Sequence, residues 1–180
     1  MKDVNIVAAT SGRGQLIFGD NEGNIFFLDR SLSPSSFKAF EIRVLYLCQL
    51  RQHSILVSIG EDEVGINPLI KVWNLDKTDK MGNPLCMRIT RAIPSNRPVP
   101  VSCLAVYENL TQMAVGFENG SVVVYKGDVT RDRHSKSRVI HQGNHPVQGL
   151  AYKQVENQVI LFVTTTQSVL SYNTSAKDQR

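Results

Sequence analysis

Repeated antiparallel sheets of four strands, an all-β architecture, are what this sequence predicts, and three observations carry the prediction. First, a unit recurs. Residues 100–125, PVSCLAVYENLTQMAVGFENGSVVVY, and residues 146–172, PVQGLAYKQVENQVILFVTTTQSVLSY, start 46 residues apart at Pro100 and Pro146 and share Leu104-Ala105 and Leu150-Ala151. Second, the apolar runs are four to seven residues long, rich in Val, Ile, Leu, Phe and Tyr, and bounded by Gly, Asn, Asp and Pro, which is the chemistry of strands and hairpins. Third, runs such as Ile25-Phe26-Phe27-Leu28 and Val122-Val123-Val124-Tyr125 are apolar on both faces, so their sheets must be covered on both sides. Sheets of four strands that repeat every 40 to 50 residues or so and stack face to face describe a WD40-like β-propeller.

Blade one is expected over residues 1–42, where Gln15 to Leu28 holds two strands around the hairpin tip Asn21-Glu22-Gly23. Blade two, 43–96, repeats that pattern from Ser54 to Asn74, with four extra residues in the turn because Gly60 to Trp73 is thirteen residues and Gly19 to Leu28 is nine. Blade three, 97–143, turns at Glu118-Asn119-Gly120, and blade four covers 144–180. Outer, fourth strands are expected at 37–42, 86–93 and 136–141, while the polar stretch from Thr174 to Arg180 leaves blade four without one. The ring is therefore partial, with a self-closed ring of four blades as the alternative. A partial ring leaves one face of each end blade bare, with Ile17, Phe18, Ile25, Phe26 and Phe27 expected at one end and Val159, Leu161, Val163 and Val169 at the other.

Composition narrows the function classes. With 42% hydrophobic and 20% charged residues the chain reads as a soluble globular protein, and no apolar run approaches the length of a membrane span. Cys48, Cys86 and Cys103 are an odd number at wide spacing, the pattern of reduced cytosolic thiols and not of a disulfide framework. The formal charge is +4, of which +3 lies between Lys126 and Arg138. That segment holds no aromatic residue for base stacking, which argues against nucleic acid.

Catalysis needs converging nucleophile, base or metal ligands, and these are scattered here. His141 and His145 straddle Gly143 and run into Pro146, a loop and not a helix face. Glu61-Asp62-Glu63 lacks the alternating oxygen ligands of an EF-hand and reads as a hairpin tip. Gly12-Arg13-Gly14 precedes a strand, so it is no phosphate loop. Trp73 reads as a packing residue at the end of a third strand. The expectation is no enzyme and no cofactor. The candidate site is a partner-contact loop formed by Asp128, Arg131, Asp132, Arg133, His134 and Lys136.

Several of these segments also carry a resemblance. Gly60-Glu61-Asp62-Glu63, Gly65 to Leu75, Gly82-Asn83-Pro84-Leu85-Cys86 and, above all, Gly127-Asp128-Val129-Thr130-Arg131-Asp132-Arg133-His134-Ser135-Lys136 resemble the N-terminal propeller of the vacuolar protein sorting-associated protein 11 family. The resemblance implies a protein-interaction scaffold in HOPS and CORVET tethering complexes, cytoplasmic and peripheral on late endosomes and lysosomes (the vacuole), with other tethering subunits as partners. Family members are several times longer and add a helical solenoid and a zinc-binding RING domain, neither of which maps to these 180 residues. The reading from a different class is direct binding of anionic lipid through residues 126–138.

Overall fold

The structure, a computed structural model, describes residues 3–94 and 97–175, and for His134 the backbone alone. Sheet one consists of β1 (Ile6–Gly12), β2 (Gln15–Asp20), β3 (Asn24–Leu28) and β4 (Pro34–Lys38). Sheet two is β5 (Arg43–Gln49), β6 (Ile55–Glu61), β7 (Leu69–Thr78) and β8 (Pro84–Arg91). Sheet three is β9 (Val101–Val106), β10 (Gln112–Phe117), β11 (Ser121–Gly127) and β12 (Ser135–Gln142). Sheet four has three strands among the described residues, β13 (Val147–Val155), β14 (Gln158–Thr165) and β15 (Val169–Asn173). Every pairing is antiparallel and sequential, so each sheet is a meander closed by short turns. Residues 176–180, at the expected end of blade four, lie outside the described residues.

The first strands are innermost. β1 packs on β5, β5 on β9 and β9 on β13, the radial arrangement of a propeller. Each of these strands slips register near its start, at Ile6/Ala8, Val44/Tyr46, opposite Gly116/Phe117 in β9, and at Val147/Gly149. An irregularity at the same place in every blade adds the twist that lets adjacent sheets fan around an axis.

The two-faced runs are covered as their composition requires. Val123 and Tyr125 join the core formed with Val57, Ile59, Ile70 and Val72 of blade two, whereas Val122 and Val124 join Leu161 and Val163 of blade four. Leu56 and Trp73 face the other way, against Ile17, Ile25 and Phe37 of blade one. Trp73 is held edge-on to Phe37 with ring centroids 4.9 Å apart, and its Nε1 donates to Ser58 Oγ at 2.9 Å. It is a packing residue.

Three details differ from the sequence expectation. The outer strand of blade one is Pro34–Lys38, not 37–42, because the amides of Ala39 and Phe40 turn away to donate to the Gly23 carbonyl and end the ladder. Proline can open this strand because an edge tolerates a missing N–H. The outer strands of blades two and three start one or two residues early, at Pro84 and Ser135. In blade two's hairpin, Leu69 pairs with Gly60, while Ile25 pairs with Gly19 and Val122 with Gly116. The insertion is thus three residues, not four, and Trp73 stands one place beyond the position that Leu28 holds in blade one.

The bare end faces match the expectation at Phe18, Phe26 and Val169 and differ at Ile17, Ile25, Leu161 and Val163. Ile17 and Ile25 are fully buried against blade two, and Leu161 and Val163 against blade three. Strand alternation puts Leu16, Phe18, Phe26 and Leu28 on the open face of blade one, paired as Leu16–Leu28 and Phe18–Phe26. Blade four opens Ile160, Phe162 and Val169, of which Val169 is 73% exposed. No packing comparable to that between neighbouring blades joins β13 to β1 among the described residues. Each such side chain, if covered, contributes about 1.5–3 kcal/mol, enough to drive association of open ends. The 180-residue chain on its own is therefore expected to self-associate in size-exclusion chromatography with light scattering. Leu16→Asp with Phe162→Asp is expected to shift it toward monomer; a parent chain that is monomeric, with unfolding independent of concentration, contradicts this.

Candidate functional site

The loop between β11 and β12 is built from a local turn and one apolar anchor. The Asp128 carboxylate accepts from the Thr130 amide at 2.9 Å and from the Thr130 hydroxyl at 2.7 Å, and the Arg131 amide donates to the Asp128 carbonyl. Val129, fully buried in the core between blades two and three, donates its amide to the Leu110 carbonyl. A single 3₁₀ turn, Asp132–His134, then leads into β12.

A buried arginine of the neighbouring blade holds this loop down. Arg88, on the outer strand of blade two and only 3% exposed, donates through Nε to Thr90 Oγ1 at 2.8 Å, through Nη1 to the Val129 carbonyl at 3.3 Å and through Nη2 to Ser135 Oγ at 2.7 Å. The Thr90 hydroxyl donates onward to Asp132 Oδ1 at 2.8 Å, and the same oxygen lies 3.5 Å from Arg88 Nη2. Burial draws the Arg88 guanidinium below its ordinary pKa, and Asp132 opposes that shift. The loop thus folds over the edge of blade two and clamps blades two and three together.

Two roles emerge among the six candidate residues. Asp128 shapes the turn and Asp132 ties it to blade two, so both have structural work. Arg131, Arg133 and Lys136 are exposed; the Arg131 side chain is 66% exposed with Asp128 3.5 Å from its Nε. Of His134 only the backbone is described. Sequence reasoning missed Arg88, Thr90 and Val129. Val129 was detectable as the lone large apolar residue in a polar loop, whereas Arg88 and Ser135, 47 residues apart, meet only through blade packing.

The other candidates are absorbed by the fold. Each acid of Glu61-Asp62-Glu63 has a cation of its own chain: Arg43 at 2.9 Å, Lys71 at 2.8 Å and Arg91 at 3.4 Å. His141 Nδ1 lies 2.6 Å from the Tyr172 hydroxyl, joining blades three and four. Burial pushes the Cys48 thiol up to about 11 and raises Cys86 and Cys103, which keeps all three protonated near neutral pH. Among the described residues no group of three His, Cys, Asp or Glu side chains could hold a metal ion, and no helix is long and apolar enough to cross a membrane.

Four antiparallel sheets stacked radially with their first strands innermost define a WD40-like β-propeller. Among solved structures, the chain is similar to the β-propeller domain of Cps50 (Swd1) from Myceliophteria thermophila, with a TM-score of 0.67 at 13% identity over 93% of this chain and 53% of that one. It is also similar to the computationally designed Ika4 protein, with a TM-score of 0.65 at 18% identity over 96% of this chain and 93% of that one. At such identities the likeness concerns the fold.

The chain belongs to the PEP5/VPS11 N-terminal family, whose model matches residues 1–180. The vacuolar protein sorting-associated protein 11 homologs of Homo sapiens and Mus musculus are each 58% identical over 173 residues, and that of Dictyostelium discoideum is 39% identical over 186. The alignments with the human and mouse proteins cover 96% of this chain and 18% of the relative, so the chain spans under a fifth of their length.

Proposed function

We propose that the chain is a non-catalytic protein-interaction scaffold, the propeller part of a HOPS- or CORVET-type tethering subunit that acts in docking and fusion at late endosomes and lysosomes (the vacuole). The observation that carries this reading is the family match along the whole chain to proteins named for vacuolar protein sorting. In it the chain is cytoplasmic and reaches those membranes peripherally, through the other tethering subunits. The clamped loop supports the reading, since its backbone is fixed by Arg88 while Arg131, Arg133 and Lys136 stay outside, a pre-organised basic edge for an acidic partner surface. The same exposed cations favour a second reading, direct contact with anionic lipid.

Co-precipitation of the chain with the other tethering subunits tests the proposal. Arg131→Glu with Arg133→Glu is expected to leave thermal unfolding unchanged and to weaken capture about tenfold, as for rim charges across a complementary interface. Loss of solubility with unchanged capture assigns the two arginines to structure instead. Binding to phosphatidylserine vesicles that disappears between low and physiological salt, with no subunit captured, favours the lipid reading.

A further inference from the structure

A groove of about 470 Å³ lies on the side of the propeller where outer strands lead into the next blade, between blades two and three. Tyr46, Ile66, Pro68, Pro98 and Pro100 wall it, with Glu61 and Glu118 beside them. Its size falls in the range of ligand sites, and one turn that forms it is longer than the matching turns of blades one and three. The hairpins of blades one and three turn in five residues, between Gly19 and Ile25 and between Gly116 and Val122, whereas blade two uses eight between Gly60 and Leu69. These longer turn residues include Val64 and Ile66, which are 87% and 40% exposed. Ile66 extends the apolar surface of the groove, and Val64 lies beside it on the same turn, so the patch there is larger than a single exposed side chain.

The walls specify what would cover them. Pro98 and Pro100 have no amide to donate, and the Val99 amide is already spent on Asn67 Oδ1 at 3.3 Å, so this wall offers no strand edge for pairing. The contact with Val99 uses the Asn67 amide oxygen and leaves its NH2, which carries two donors, able to donate to a backbone carbonyl. The Tyr46 ring is fixed by its hydroxyl, which donates to the Val101 carbonyl at 3.2 Å. Tyr46 and Glu118 line the same groove; burial raises the Tyr46 pKa, and the Glu118 charge adds to the rise. Glu61 is neutralised by Arg43, but Glu118 is exposed and has no ion pair among the described residues. In a chain of net charge +4, an apolar groove with an unpaired carboxylate selects for an apolar side chain next to a cation.

We propose that the groove between blades two and three is a docking site for an extended segment of a partner protein carrying an aliphatic side chain next to Lys or Arg. The aliphatic group sits among Tyr46, Ile66 and the prolines, the cation reaches Glu118, and one backbone carbonyl accepts from Asn67. This site is on a different edge from the basic loop and does not depend on the tethering reading.

The test is fluorescence anisotropy of the chain with three end-capped peptide pools, each with Leu at the centre and with Arg, Ser or Asp at the flanking positions. The Arg pool is expected to bind saturably and at least about tenfold tighter than the Asp pool. Glu118→Gln is expected to bring the Arg pool down to the level of the Ser pool, and Ile66→Asp to remove binding of all pools. Both substitutions are at exposed positions, and unchanged thermal unfolding shows that the fold is kept. Equal binding of the Arg and Asp pools, absence of saturable Arg-pool binding, or insensitivity to both substitutions overturns the proposal. None of these outcomes involves a tethering subunit, so failure here and failure of the tethering reading are separable.

Discussion

Replacing Gly23 with alanine is expected to cost about 4 kcal/mol or more, a large share of the roughly 5–15 kcal/mol that holds an ordinary domain folded. Gly23 sits at the tip of the β2–β3 hairpin with φ at +87°, in a turn wound around the Asp20 carboxylate, which accepts from the Glu22 amide at 3.0 Å and from the Asn24 amide at 2.8 Å. A Cβ there would stand 1.9 Å from the Phe40 carbonyl oxygen, a backbone atom in the linker to blade two. That linker cannot retreat, because the Ala39 and Phe40 amides donate to the Gly23 carbonyl and Phe40 is itself 1% exposed. Gly82 separates the two contributions. Its φ is +83°, yet a Cβ would meet nothing within 4 Å, so Gly82→Ala isolates the cost of the left-handed backbone, about 1 kcal/mol. Urea unfolding of both variants checks the difference. Equal losses contradict the packing argument.

Lys71→Ala is the second large effect, with an expected loss of about 3–5 kcal/mol. Lys71 is 8% exposed in the third strand of blade two, where its Nζ donates to the Ala39 carbonyl and to Asp62 Oδ2, both at 2.8 Å, and lies 4.5 Å from the centre of the Phe40 ring. The other oxygen of Asp62 accepts from the Glu41 amide at 3.0 Å. One ammonium thus fastens the linker between blades one and two to the inserted turn of blade two. Removing it leaves a half-buried carboxylate and an interior carbonyl unpaired, and both costs fall on the folded state. Lys71→Ala with Asp62→Ala is expected to cost less than the sum of the single changes, with a coupling of about 2 kcal/mol in a double-mutant cycle. The neighbouring pair Arg91–Glu63, with side chains 39% and 57% exposed, is the contrast. Its removal is expected to cost under about 1 kcal/mol and to matter less as salt is added. Additive losses at Lys71 and Asp62 contradict the fastening role.

By itself the sequence determined the fold class, the order of the strands and the hairpin tips, because those depend on local chemistry. Short β-branched runs bounded by Gly, Asn and Pro favour strands over helices, Asp20 and Gly23 close a turn within five residues, and a run such as Val122 to Tyr125 announces two buried faces through composition alone. The family was also legible, from the motif Gly127 to Lys136. Only the tertiary structure decided which face of an end blade is bare, since a pattern apolar on both sides does not say which neighbour is present; Leu161 and Phe162 alternate identically in sequence, and packing alone buries the first and opens the second. It also decided where blade one's outer strand ends, because the competing acceptor, the Gly23 carbonyl, comes from another strand. The clamp of Arg88 on residues 128–136 and the groove beside Glu118 lay beyond sequence reasoning for the same physical reason. Their parts come from different blades, and contacts across blades follow from how twisted sheets stack around an axis and not from any spacing along the chain.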